Sequence, residues 1–235
     1  LNDCWKDVSE TKLSSQVKTL FFELLRNESD LTIAYNIINA FEPVLETEAA
    51  NWEQLFQFIQ ILPNMNNKLD SLQLTMYLIG SLPRYIPEQI TSELFPLFFE
   101  FAKVAFQSQD QKRIGSACEM LGILIGFIPE KDIGITMEPL NIMLNVFKQC
   151  LFYDDINIIC QIANSLNDAV SGNSLPMQPD ELLQIFLDIL NLDNLNQNKY
   201  VYIFNPIMAL IRKFGNYLSN TTECLLQSII NAVAS

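Results

Sequence analysis

The sequence predicts an all-α fold in which antiparallel helix pairs stack side by side into a right-handed α-solenoid. Apolar residues recur at i, i+3, i+4 and i+7 through most of the chain, which is the spacing of one helical face. Only 7 of the 235 residues are glycine, and no stretch alternates apolar and polar residues, so almost no strand is expected. Similar pairs of apolar stretches return about every 40 residues, which indicates repeats.

The stretch from Asp110 to Val170 shows this pattern most clearly. It contains three amphipathic segments, with the stripes Ile114, Ala117, Met120, Leu121 and Leu124; Leu140, Met143, Leu144 and Phe147; and Ile156, Ile159, Ile162, Ala163 and Leu166. No segment can bury its stripe alone. The hinges at 128–130 and 153–155 are short, so neighbouring helices are predicted to be antiparallel.

The amino-terminal part predicts two helix pairs. A first helix over 12–27, with Ser9 as a candidate cap, is followed by a second that ends before Pro43. Asn51 is the expected cap of a helix starting at Trp52, whose partner covers 69–82. The expected inward residues are Val17, Leu20, Phe21, Leu24 and Leu25; Ile33, Ala34, Ile37, Ile38 and Phe41; and Leu55, Phe56 and Ile59.

The remaining elements follow the same scheme. Pro87 is placed in the first turn of an aromatic helix, and helices are predicted over 179–190 and 199–214. Pro206 should kink the latter helix, and a last helix should follow Asn220. The stripe of the aromatic helix is Leu94, Phe95, Phe98, Phe99, Ala102 and Phe106.

These elements form one predicted domain over 1–235 that consists of helical repeats. The approximate repeats are 9–45, 50–83, 87–128, 133–171 and 178–215, with part of another over 217–235. This period fits HEAT and armadillo repeats, which are roughly 40–47 residues long. Two helices per repeat, and prolines in or before first helices (Pro87, Pro96 and Pro139), favour HEAT repeats within an armadillo-like superhelix.

The charge balance bears on the class of partner. The chain has 14 basic and 27 acidic residues and a formal net charge of −13. A nucleic-acid surface needs clustered Lys and Arg, so no nucleic-acid partner is expected. An acidic surface attracts basic partners, although an excess of acid also serves solubility alone, and both interpretations stay open here.

The residue types argue against catalysis. Histidine is absent, and the five cysteines are scattered and never in CxxC spacing, which indicates free buried thiols in a reducing compartment. No metal-ligand set or phosphate loop is found, so we expect neither an enzyme nor a cofactor. Gly115, Gly122 and Gly126 lie at helical spacing and indicate close helix packing.

The chain shows neither a signal peptide nor an apolar run long enough to cross a membrane. We therefore expect a soluble, monomeric, intracellular protein without membrane insertion. Because the sequence begins with Leu1 rather than Met, we expect a fragment of a longer protein.

Two tryptophan motifs resemble the importin-β (karyopherin-β) superfamily. Trp5-Lys-Asp-Val, followed by Val17-Lys-Thr-Leu-Phe-Phe-Glu-Leu-Leu and Glu28-Ser, is similar to an early repeat of that family. Asn51-Trp52-Glu53-Gln54-Leu55 resembles the opening of the next repeat. The likeness covers Trp5 to about Leu190 and is greatest to importins of ribosomal proteins and histones.

The resemblance implies an amino-proximal fragment of a nuclear import receptor. Its expected partners are basic cargo, the Ran GTPase in its GTP form and nucleoporins, and its expected location is the cytoplasm, the nucleus and the nuclear pore. Two features depart from the family: Arg-rich starts of second helices are largely missing, and Pro206 falls where an unbroken helix is usual. A HEAT scaffold of a phosphatase, translation or trafficking complex is the alternative.

Polar residues on the second helices are the candidate partner-binding residues, because these helices line the concave face of a HEAT superhelix. Amide side chains bind extended peptide backbone, and nearby acids select Lys and Arg. Each could also be merely solvated. The candidates are Asn36, Asn39, Glu42, Glu119, Asn157, Gln161, Asn164 and Asp168, with Tyr35, Lys112, Arg113, Ser116 and Asn167 on the same faces. Asp154 and Asp155 are expected to cap a helix.

Overall fold

The computed structural model describes residues 12–65, 70–153, 155–172, 174–193 and 195–218. Within these ranges the chain is helical and contains no strand, as predicted. Trp5, Ser9, Asp154 and the helix expected after Asn220 lie outside the described residues.

Eleven α-helices are present in the described ranges. They are α1 Lys12–Asn27, α2 Leu31–Ala40, α3 Glu42–Glu48, α4 Glu53–Ile61, α5 Ser71–Ser81, α6 Glu88–Gln107, α7 Gln111–Phe127, α8 Met137–Cys150, α9 Ile156–Ser171, α10 Pro179–Leu190 and α11 Tyr200–Phe214. The second helices of the predicted pairs are α2, α5, α7, α9 and α11.

The chain divides into two compact units, Leu1–Ala117 and Cys118–Ser235. In the amino-terminal unit, α2 packs against α1 and α5, and α5 packs against α4 and α6. In the carboxyl-terminal unit, α9 packs against α8 and α11, and α11 packs against α10. In each unit, therefore, the second helix of one pair neighbours the second helix of the next.

Each second helix from α2 to α9 begins at an aspartate whose carboxylate accepts hydrogen bonds from backbone N–H groups of the first turn. These residues are Asp30, Asp70, Asp110 and Asp155, so successive caps lie 40, 40 and 45 positions apart. Capping satisfies donors that a helix start leaves unbonded. The capping role expected of Asp155 is confirmed. The other three caps were not predicted, and together the four recur at a nearly regular spacing along the chain.

An aromatic cluster forms part of the core of the amino-terminal unit. Trp52 is 2% exposed, and its ring lies 5.6 Å from that of Phe21 and 5.1 Å from that of Phe22. Phe22 also contacts Phe58 on α4, with ring centroids 4.7 Å apart. The prediction that Trp52 is a packing residue is confirmed.

Small residues bring helices together in the carboxyl-terminal unit. A Cβ added at Gly122 would collide with the backbone of Ser165 on α9, and one added at Gly172 would collide with Gly126. Only glycine permits backbones to approach this closely. The expectation of close helix packing is confirmed for Gly122 and Gly126.

Four residues predicted to face inward are exposed: Leu20, Leu24, Ile33 and Ile156, at 47%, 38%, 50% and 53%. The buried arc of α1 is narrower than the predicted stripe and is centred on Phe21 and Leu25. A neighbouring position is rotated by about 100° around the helix and leaves that arc. Ile156 is the first residue of α9.

Two local predictions are wrong. Helix α4 begins at Glu53, and Asn51 ends a short 3-10 turn rather than capping it. The hinge predicted at 128–130 is longer, because a 3-10 helix, Glu130–Thr136, precedes α8. The prediction that α2 ends before Pro43 is confirmed, since α2 stops at Ala40. Pro43 then lies in the first turn of α3, where the N–H that proline lacks would be unbonded.

Candidate functional site

The candidate residues of the amino-terminal unit lie on α2 and at the start of α3, beside α5. The Tyr77 hydroxyl donates to Asn39 Oδ1 at 3.0 Å, and the Tyr85 hydroxyl donates to Glu42 Oε1 at 2.6 Å. The rings of Tyr35 and Tyr77 stack with centroids 4.0 Å apart and an angle of 18° between them. These contacts bring side chains of two consecutive helix pairs onto one surface, which we call the tyrosine surface: Tyr35, Asn36, Asn39, Glu42, Tyr77 and Tyr85.

The polar side chains of the tyrosine surface are open to solvent. Asn36, Asn39 and Glu42 are exposed, and the three tyrosines are half-buried. Partial burial and the hydrogen bond to Glu42 raise the pKa of Tyr85 to about 12 from its ordinary 10.0. The phenol therefore stays protonated at neutral pH and keeps donating to the carboxylate.

Arg113, which the sequence predicts to point away from the core, has a partly exposed side chain that forms an ion pair. Its Nε donates to Asp70 Oδ2 at 2.6 Å, and this hydrogen bond raises the pKa of the guanidinium. Asp70 also caps α5, so the ion pair joins the starts of two second helices. Lys112 is exposed and Ser116 is half-buried.

In the carboxyl-terminal unit the structure brings two of the predicted residues together. Gln161 Nε2 donates to Glu119 Oε2 at 2.9 Å, across from α9 to α7. Asn157, Asn164 and Asp168 are exposed along the same helix, with Asn164 Nδ2 3.7 Å from Cys160 Sγ. Their part in binding a partner stays a prediction.

Side-chain hydrogen bonds between pairs join residues about one repeat apart. Asn39 and Tyr77 are 38 residues apart, Glu42 and Tyr85 are 43, Asp70 and Arg113 are 43, and Glu119 and Gln161 are 42. Lys199 bonds the carbonyl oxygens of Tyr153 and Leu151, which are 46 and 48 residues away. Lys213 Nζ also donates to the carbonyl oxygen of Val170, 43 residues away. Sequence reasoning missed these pairings, although complementary polar residues one period apart were the available signal.

A shallow groove lies on the first helices of the carboxyl-terminal unit. It has a volume of about 240 Å³. The lining residues are Asn141, Leu144, Asn145 and Lys148 of α8 and Ile185, Asp188 and Ile189 of α10. It was not predicted, because no single helix carries its lining.

The buried thiols Cys118 and Cys150 are poorly suited to nucleophilic chemistry. Burial raises the pKa of Cys118 far above its ordinary value, with a smaller contribution from Cys150, and burial raises the pKa of Cys150 to about 11. A protonated thiol is a weak nucleophile and metal ligand. Nowhere in the described part of the chain do three His, Cys, Asp or Glu side chains gather as a metal site would require.

Within the described ranges, every helix is too short or too polar to cross a lipid bilayer. Comparison of the chain with models of protein families, with curated proteins and with solved structures finds no match. Functional inference therefore depends on the residues themselves.

Proposed function

We propose that the chain is a protein-binding α-solenoid of HEAT repeats, with its second helices along the concave, partner-facing side. The observation that carries this proposal is the single period shared by unrelated features. Aspartate caps recur 40 to 45 positions apart, and side-chain hydrogen bonds between pairs join residues 38 to 48 apart. Stacked two-helix repeats produce such a shared period because equivalent positions become neighbours.

The partner in this proposal is a basic protein segment. The net charge of −13 attracts cations, and the exposed candidates on second helices are amides and acids. Asn36, Asn39, Asn157 and Asn164 can bind peptide backbone, and Glu42, Glu119 and Asp168 can bind basic side chains. A curved array of such helices would wrap an extended partner.

Within this class, the resemblance of the tryptophan motifs to importin-β favours a nuclear import receptor that shuttles between cytoplasm and nucleus. The partners would then be basic cargo, Ran-GTP and nucleoporins. The burial of Trp52 at a repeat opening is consistent with the role of a repeat-defining residue.

A pull-down with purified Ran tests the transport assignment. The chain is immobilised and incubated with Ran loaded with a non-hydrolysable GTP analogue, with GDP-loaded Ran as the matched control. We expect retention of the GTP form only. Equal retention of both forms, or of neither, would remove the transport assignment.

One observation favours a HEAT scaffold of a non-transport complex as the second candidate. Many importin second helices begin with basic residues, whereas α2, α5 and α9 contain no Lys or Arg. Helix α7 differs from these three, because Lys112 and Arg113 lie near its start. A scaffold would show no response to the nucleotide on Ran and would still bind a basic segment.

A further inference from the structure

Two tyrosine hydroxyls bond two polar side chains of the preceding helix pair. Tyr77, on α5, donates to Oδ1 of Asn39, and Tyr85, in the connection that follows α5, donates to Oε1 of Glu42. Asn39 is near the end of α2, and Glu42 is the first residue of α3. Two neighbouring polar side chains are therefore each oriented by a tyrosine hydroxyl.

The groups left over after these bonds are complementary to a peptide. With its oxygen bonded to Tyr77, Asn39 presents its Nδ2 amide as a donor, which suits a peptide carbonyl. With one oxygen bonded to Tyr85, Glu42 presents Oε2 as a charged acceptor. Glu46, which is exposed one helical turn further along, adds negative charge near Tyr85.

The geometry points to an arginine-reading site on the tyrosine surface: Glu42, held by Tyr85, binds the guanidinium of an extended basic peptide, and Asn39, held by Tyr77, binds its backbone. This inference rests on the proposed function, because it names the chemistry that the second helices would select. The occupant is an arginine-bearing segment of a partner protein.

Arginine fits this surface better than lysine for two reasons. A guanidinium is planar, so it can donate to a fixed carboxylate while its face lies on a tyrosine ring. It is also more weakly hydrated than an ammonium, which lowers the cost of docking against half-buried rings. A surface that offered only negative charge would not distinguish the two side chains.

Arg84 should weaken the binding of a basic peptide at this surface. It is exposed beside Tyr85, and its positive charge opposes the rise in the pKa of that phenol. An incoming guanidinium would meet the same charge as repulsion. Arg84→Gln should therefore tighten binding of a basic peptide.

Fluorescence anisotropy with labelled peptides tests the inference on the full chain. One peptide alternates Arg and Ser, and its matched partner carries Lys in place of each Arg. Both peptides can pair with Glu42, so the difference should come from the guanidinium stacking on a tyrosine ring, and we expect the Arg peptide to bind about two- to fivefold more tightly. Glu42→Gln and Tyr85→Phe should each abolish this preference, and Arg84→Gln should strengthen binding.

Glu23→Gln is the control, because Glu23 is exposed on α1 and its loss changes the net charge equally. It should leave the preference intact. Equal binding of both peptides, or an equal loss of preference in Glu23→Gln and Glu42→Gln, would overturn the inference while leaving a basic partner possible. Binding of neither peptide would overturn the basic-partner assignment as well. Thermal unfolding of each variant identifies one that fails to fold, and the Arg-to-Lys ratio of the unmodified chain then decides.

Discussion

The two units join successive helix pairs by different chemistry. The amino-terminal unit uses aromatic contacts, in which the buried Phe21 and Trp52 pack with the half-buried Phe22 and tyrosines link α2 to α5 at the surface. In the carboxyl-terminal unit, Gly122 and Gly126 bring backbones together. There, too, Lys199 Nζ bonds the carbonyl oxygens of Leu151 and Tyr153 at 2.7 and 2.6 Å.

Successive helix pairs can therefore be held together in two ways. Large side chains fill the space between them, or glycine allows their backbones to approach closely. Aromatic packing depends on apolar area removed from water, so it weakens when side chains are truncated. Close backbone packing depends on the absence of a Cβ, so it weakens when atoms are added. The units should consequently be sensitive to opposite kinds of substitution.

The largest expected effect is a truncation in the aromatic core. Phe98 is 1% exposed on α6, and Phe98→Ala should lower the free energy of unfolding by about 3–5 kcal/mol. Urea unfolding followed by circular dichroism measures this change. Phe152, which is 54% exposed, is the control, and Phe152→Ala should change stability little. Equal effects of the two substitutions would contradict the assignment of Phe98 to the core.

An added methyl group should damage the carboxyl-terminal unit. Gly122→Ala forces α7 and Ser165 apart, which should cost about 1–3 kcal/mol, less a gain in helix propensity of up to ~1 kcal/mol. The same urea titration applies. A Cβ at Gly134 would meet nothing within 4 Å, so Gly134→Ala should be neutral or slightly stabilising. If Gly122→Ala were as harmless as Gly134→Ala, the close approach would be refuted.

Removal of the lysine that bonds the end of α8 should have a smaller effect. Lys199→Met leaves two carbonyl oxygens without their charged donor and should cost about 1–2 kcal/mol. Lys131→Met is the control, because Lys131 Nζ lies 3.9 Å from Asp132 and its side chain is 69% exposed. Thermal melting of both variants should show a lower midpoint for Lys199→Met only. Equal midpoints would count against a stabilising role of the Lys199 hydrogen bonds.

The smallest expected effect is a pH dependence at the tyrosine surface. The folded chain raises the pKa of Tyr85 from 10.0 to about 12, so it holds the phenol proton more tightly than the unfolded chain does. The resulting stabilisation is complete below pH 10 and is lost as the pH rises towards 12. Urea midpoints of the unmodified chain and Tyr85→Phe should converge across this window. A difference between the two urea midpoints that stays constant from pH 10 to 12 would show that the Tyr85–Glu42 bond adds no pH-dependent stability.

The sequence was sufficient for features that depend on local spacing. The period of 3.6 residues gave the helices of the central stretch, because an apolar stripe must be buried whichever neighbour covers it. The roles of Trp52 as a packing residue, Gly122 as a point of close approach and Asp155 as a cap could be predicted for similar reasons. Each follows from the chemistry of one residue and its position in an element.

Features that join residues about one repeat apart were decided only by the tertiary structure. The packing of α2 and the start of α3 against α5 and the residues that follow it determines that Tyr77 meets Asn39 and that Tyr85 meets Glu42, and no local pattern encodes that packing. Leu20 and Ile33 are exposed, although their spacing suits a buried stripe. The spacing of apolar residues therefore specifies which segments are helical and that they must pair. Tertiary packing determines which side chains are buried, which form hydrogen bonds between helix pairs and which stay exposed. The reason is that burial depends on a neighbour from a distant part of the chain.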